Sequence, residues 1–222
     1  MIGNPDIIVV SVRRSGLNWV KYCVEYFSKR KTPSNKRIFD RSFLQSDEIV
    51  FCRTHHVYGK GGRYTNNCQF FREDGSYIFN RIILLVRNYK ELYARGNGGL
   101  SGYFENLDAF DKFSGEKLLI YYEDMVLDFS YMCQILEFLN VAYNIDNFDV
   151  EGHANRSRKI YNQRAKSQTD KSKTRKDPLN FLFHSSKLSS EERQDLDKKY
   201  IEMYPDIFNK YLQRYLEKEG LV

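Results

Sequence analysis

The segment from Ile7 to Phe27, IIVVSVRRSGLNWVKYCVEYF, constrains the fold more than any other part of the chain. Its apolar, β-branched opening reads as a buried strand. With no spacer it runs into Arg13-Arg14-Ser15-Gly16 and then into a helical pattern, with Val20, Cys23, Val24 and Phe27 at i, i+3, i+4 and i+7. A strand-to-helix turn of this kind gathers backbone N–H groups at one point, the helix start adds positive potential, and two guanidinium groups stand beside them. That chemistry suits a phosphate or sulfate. The segment is not a Walker A loop, which requires GxxxxGK[ST]; here there is one glycine and no lysine before a Ser or Thr. For the tripeptide RSG alone, an ordinary turn that happens to carry arginines is an equally good explanation.

The rest of the chain repeats the alternation. Apolar runs near Ile7–Val12, Ile49–Cys52, Ile82–Val86 and Leu118–Tyr121 are separated or followed by helical patterns, including Met132, Ile135, Leu136 and Leu139 on one face. Strands alternating with helices imply an α/β fold with a central parallel sheet flanked by helices. A length of 222 residues fits one domain over the whole chain, 1–222. Ser189 and Glu192 form an S-x-x-E capping box that opens a helix to about Met203, and Asp206–Lys218 reads as another, so C-terminal helices cover about 189–218. Between sheet and helices lies a basic segment, about 153–178. Within it Arg156–Lys176 carries nine basic residues against one acid, too polar to build a core. Ser28–Lys36, Tyr58–Asn67 and Gly96–Gly102 read as loops, and the glycine-rich ones fall after strands, where α/β proteins place ligands.

Hydrophobic residues at 41% suffice for a globular interior, and a net charge of +6 favours an anionic partner without choosing among nucleotide, sulfated ligand and nucleic acid. Cys23, Cys52, Cys68 and Cys133 show no CxxC spacing, which favours buried free thiols and a reducing, cytoplasmic setting over a disulfide frame or zinc site. No apolar stretch approaches the roughly 18 residues needed to span a bilayer, and the first strand starts too near Met1 for a signal peptide.

Three further groups carry chemistry. Arg53-Thr54-His55-His56 follows the second run and puts a cation and an imidazole at the sheet edge. An imidazole can take a proton from a hydroxyl or amine, although for the dipeptide alone a solvent-exposed His pair is the simpler explanation. Arg87-Asn88 follows the third run, with Arg95 two helical turns further on, a spacing that lets two guanidinium groups hold one dianion. Tyr121-Tyr122-Glu123-Asp124 closes the fourth, with its acids at a helix start. No acidic or Cys partner stands at ligand spacing from the histidines, so no metal site is expected.

In this order the four elements resemble the sulfotransferase family that uses 3′-phosphoadenosine 5′-phosphosulfate (PAPS), over about residues 5 to 142 and more faintly in the C-terminal helices. The resemblance implies that family's P-loop-like fold. SVRRSGLNW is similar to its 5′-phosphosulfate loop, with Arg13 where proline is usual, Arg14 at the cationic catalytic position, Ser15, Gly16 and Leu17 in the wrap, and Asn18 and Trp19 facing phosphate and adenine. Arg53-Thr54-His55 matches Lys-Thr-His, which makes His55 the expected general base. Arg87 matches the start of the 3′-phosphate element, whose terminal serine is Arg95 here. YYEDM resembles the family's YED segment and carries over Tyr122 as a nucleotide neighbour. The RKGxxGxWK lid does not occur; Arg175 and Lys176 of the basic segment are expected in its place.

What the resemblance implies is transfer of a sulfuryl group from PAPS to a hydroxyl or amine, leaving 3′,5′-ADP and requiring no metal. His55 takes the acceptor's proton, Arg14 and the turn amides hold the departing oxygens, and Arg53 steadies the moving group. The acceptor is open among small molecules, glycans and peptide side chains, and a second subunit could complete its side of a chain that is short for the family. Competing expectations are a sulfotransferase-like nucleotide binder without activity, a P-loop-type kinase, and a module that grips RNA or another polyanion; nucleic acid is the weaker choice because charge runs are more often solvated faces.

Overall fold

The computed structural model describes residues 6–33, 44–59, 68–94, 100–149 and 187–216. Its centre is a four-stranded, wholly parallel sheet of β1 (Ile7–Ser11), β4 (Cys52–Thr54), β5 (Arg81–Val86) and β6 (Glu116–Tyr121), in the order β4-β1-β5-β6. All five residues of β1 are buried, as a central parallel strand covered on both faces requires. Two short strands, β2 (Arg30–Lys31) and β3 (Ser46–Ile49), form a separate parallel pair.

The period of two along each strand divides the interior into two cores. Ile8 and Val10 of β1, with Ile82, Leu84 and Val86 of β5, face α3 (Ser101–Lys112) and the C-terminal helices, where they meet Phe104, Leu107, Phe208 and Leu212. Ile7, Val9, Ile83 and Leu85 face the other way, onto Val20, Cys23 and Val24 of α1 (Leu17–Ser28) and Met132, Ile135 and Leu136 of α5 (Ser130–Phe138). Each such side chain contributes roughly 1.5–3 kcal/mol by burial. The two stripes expected from sequence are therefore the faces on which α1 and α5 pack, although Phe27 is only partly buried.

The second strand departs from expectation. Ser46–Ile49 leaves the main sheet to pair with β2, and β4 begins at Cys52. Ile49 is 41% exposed, whereas Val50, Phe51 and Cys52 are buried. A continuous apolar run signals burial but does not say where its ladder starts.

The expected capping box is complete: Ser189 Oγ accepts from the Glu192 N–H at 3.0 Å and the Ser189 N–H donates to Glu192 Oε2 at 2.7 Å. It opens α6, Ser190–Met203. Helical turns follow at Pro205–Ile207, Phe208–Leu212 and Gln213–Tyr215 in place of one long helix. Lys90, 2% exposed, ties this end to the sheet by donating to Asp197 Oδ2 at 2.9 Å and to the Tyr215 carbonyl at 3.1 Å.

The topology positions a site. From β1 the chain crosses through α1 to β4 on one side, then passes back beyond β1 to β5 on the other, so the order reverses between β1 and β5. In open parallel sheets ligands collect at that reversal, beyond the carboxyl ends of the strands. The residues delivered there are Arg13–Gly16 after β1, His55 after β4, Arg87 between β5 and α2 (Tyr89–Ala94), and Tyr122 at the start of α4 (Tyr122–Leu127) after β6. Among the described residues no helix is long and apolar enough to cross a membrane.

Candidate functional site

The turn after β1 leads directly into the first N–H groups of α1, which have no intrahelical acceptor. Ser15 N–H closes it on the Val12 carbonyl at 3.3 Å. Arg14 (φ 73°) and Gly16 (φ 89°) both take the left-handed conformation. An arginine there is uncommon and marks stored backbone strain. Gly16 is required twice over, because a Cβ at this position would lie 2.5 Å from Cδ2 of the Tyr122 ring.

Gly16 caps α1 without a side-chain bond, and the first turn of α1 holds no acid. The helix therefore presents its first N–H groups and dipole without an internal anion to answer them. Ser15 is fully buried, and its Oγ has no hydrogen-bond partner among the described residues. A buried hydroxyl left so is costly, and an incoming oxygen would satisfy it. Arg13, Arg14 and Asn18 are exposed around this point.

His55 is held against the base of the same turn. Its Nδ1 lies 2.7 Å from the Ser11 carbonyl and its Nε2 lies 2.9 Å from Arg53 Nη1. A carbonyl only accepts and a guanidinium only donates, so the ring carries its proton on Nδ1 and its lone pair on Nε2. Burial pushes the His55 pKa down; the Ser11 bond opposes this, and the positive charges of Arg53, Arg13 and Lys21 add to the lowering. The neutral imidazole is the form a general base needs. Asn106 of α3 fixes the loop, donating to the His55 carbonyl at 3.1 Å and accepting from the Val57 N–H at 2.9 Å.

His56 faces the opposite way, with Nε2 on the Glu105 carboxylate of α3 and its ring against Gly102. The two histidines are thus half-buried and separately anchored, not a solvent-exposed pair. The simpler explanation open at the level of sequence is corrected by α3, which packs over the loop.

Arg87 is 3% exposed. Its Nη1 donates to the Arg14 carbonyl at 3.0 Å, its Nη2 lies 3.6 Å from Glu91, and its guanidinium stacks 4.1 Å from the Tyr122 ring centre. It braces the turn from within. Tyr122 is correspondingly engaged with Gly16 and Arg87. Leu17 is buried in the α1 core, which leaves its amide as the group facing the turn. Trp19 is half-buried, with ring centroids 6.0 Å from Tyr22 and 6.4 Å from Phe148. Arg95, Arg175, Lys176 and the whole basic segment lie outside the described residues.

Ser11, Lys21 and Asn106 belong to this neighbourhood and were not singled out from sequence. Lys21, 3% exposed on the buried side of α1, contributes charge at His55. Lys21 and Asn106 are polar residues at the spacing of buried helix faces, and that was the available signal. Among the described residues no three His, Cys, Asp or Glu side chains converge as a metal site. A scan against models of known protein families and a search of curated proteins find no match to this chain.

Proposed function

We propose that the chain is a PAPS-dependent sulfotransferase with a P-loop-like fold. One observation carries the reading: the 2.7 Å bond from His55 Nδ1 to the Ser11 carbonyl, which anchors a neutral imidazole at the root of an uncapped, cation-flanked helix start. An anion seat alone suits many ligands; an anion seat with a base beside it suits group transfer to a hydroxyl or amine.

The residues fit the phosphosulfate end of the donor. The amides of Gly16 to Asn18, the Ser15 hydroxyl and the exposed Arg13 and Arg14 would hold it, and the donor supplies the sulfuryl group. His55 Nε2 takes the acceptor's proton, while fixed cations and amides answer the charge on the oxygens around it. For this, Arg53 moves off Nε2, and an anion at the turn competes for its guanidinium. The 3′-phosphate end has less support, because Arg87 is committed to Arg14, Glu91 and Tyr122.

The test is a thermal-shift comparison of 3′,5′-ADP, ATP, NAD and S-adenosylhomocysteine, followed by transfer from labelled PAPS to phenol, sugar and tyrosyl-peptide acceptors. A selective rise with 3′,5′-ADP is expected, since only a ligand that prefers the native state stabilises it. His55→Ala should then lower turnover by about 100-fold or more with nucleotide binding nearly intact. A larger rise with ATP would point to a kinase and overturn the reading.

The Arg53 bond that covers Nε2, with the burial of Arg87, favours a second reading, a nucleotide binder of the same fold without catalysis. Its signature is a selective shift with 3′,5′-ADP and no transfer to any acceptor, with His55→Ala changing nothing.

A further inference from the structure

Two cysteines distant in sequence meet beside this site. Cys52 opens β4, buried at 7% exposure, and Cys68 is half-buried against the same core cluster. The backbone fixes the approach, because the Cys68 N–H donates to the Arg53 carbonyl at 2.7 Å, one residue along from Cys52. All four cysteines are free. We propose that Cys52 and Cys68 form a reversible dithiol–disulfide couple, with Cys68 as the attacking sulfur and Cys52 as the resolving thiol.

The two sulfurs differ in the way such a couple requires. The Cys52 hydrogen bond, opposed by burial and helped by the Arg53 N–H and guanidinium charge, brings the Cys68 pKa down to about 6. Cys52 moves up, because it is the donor in the same bond and is buried. Cys68 is therefore the one that reaches the attacking thiolate form more readily, and it is the more accessible of the two. At the other close thiol pair, Cys23 and Cys133, burial pushes Cys23 up.

With a peroxide as oxidant the chemistry balances. Cys68 thiolate attacks one peroxide oxygen, the O–O bond breaks, the other oxygen leaves as water or alcohol after taking a proton, and Cys68 becomes a sulfenic acid. Cys52 then gives up its proton and attacks the Cys68 sulfur, the S–S bond forms, and the sulfenic oxygen leaves as water. Two thiols are oxidised and one peroxide is reduced. A dithiol reductant reverses the couple by exchange. Closure brings the two sulfurs to about 2.05 Å. It also removes the thiolate charge facing Arg53, the residue that holds His55 Nε2. The couple does not depend on what the Ser15 turn binds.

The test treats the reduced full chain with stoichiometric hydrogen peroxide, alkylates the remaining thiols and maps the peptides by mass spectrometry. A Cys52–Cys68 linked peptide lighter by two hydrogens, absent after dithiothreitol, is expected. On unoxidised protein, iodoacetamide labelling of Cys68 should have its pH midpoint near 6, against about 8.5 for an ordinary thiol. In Cys52→Ser the peroxide product should stop at Cys68 sulfenic acid, trapped with dimedone. A Cys68 midpoint near 8.5, no linked peptide, or a Cys23–Cys133 link in its place would overturn the proposal. The wild-type measurements decide it even if the variant does not fold.

Discussion

Gly16→Ala probes the turn at its tightest point. The φ of 89° forces an alanine into the left-handed region, at about 1–2 kcal/mol. Its Cβ would also meet Tyr122 at 2.5 and 3.0 Å and the Met125 methyl at 3.1 Å, an overpacking that costs roughly 1–3 kcal/mol. The sum is about 2–5 kcal/mol, and for a chain of this size each kcal/mol lowers Tm by about 2–4 °C. Urea unfolding followed by the single Trp19 measures it, since that indole sits one turn from the substitution. Repeating the change in a Tyr122→Ala background removes the ring and leaves the flexible Met125 methyl, so the loss should fall toward the backbone part, about 1–2 kcal/mol. An equal loss in both backgrounds would show that Tyr122 does not cover Gly16. A loss under about 0.5 kcal/mol in the parent would show that the turn is not left-handed there.

Other perturbations follow from the same neighbourhood. Because His55 has its folded pKa below the ordinary 6.5, its contribution to stability is complete above about pH 6.5 and is lost as pH falls toward the folded value. His55→Gln should flatten that part of the stability profile between pH 7 and 5, and an unchanged slope would contradict the buried neutral ring. Arg87→Ala should cost about 3 kcal/mol or more, because it takes the cation from a carboxylate that is 1% exposed and the brace from the Arg14 carbonyl. A loss under about 1 kcal/mol by urea unfolding would place Arg87 at the surface.

The sequence carried the scaffold because each element had local cause. β1 is a continuous apolar run, α1 and α5 have one stripe each, and Ser189 with Glu192 makes both halves of its cap. The turn at Ser15 was legible for the same reason, since strand, glycine and helix are contiguous. What could not be read depends on distance along the chain. From sequence Arg87 is a cation at a strand end, and it becomes internal because Arg14, Glu91 and Tyr122 converge on it. His55 gains its tautomer from Ser11, 44 residues away, and its loop from Asn106. Cys52 and Cys68 have no motif spacing, so their proximity exists only once Cys68 is bonded to Arg53 of β4.

In the proposed function the Ser15 turn seats the 5′-phosphosulfate end of the donor. Amide NMR of the labelled chain titrated with 3′,5′-ADP addresses it at single residues. The cross-peaks of Ser15, Gly16, Leu17 and Asn18 should move together and saturate, with the movement weakened in Arg14→Ala. If those four peaks stay still while the ligand binds elsewhere, or if nothing moves at all, the account is contradicted.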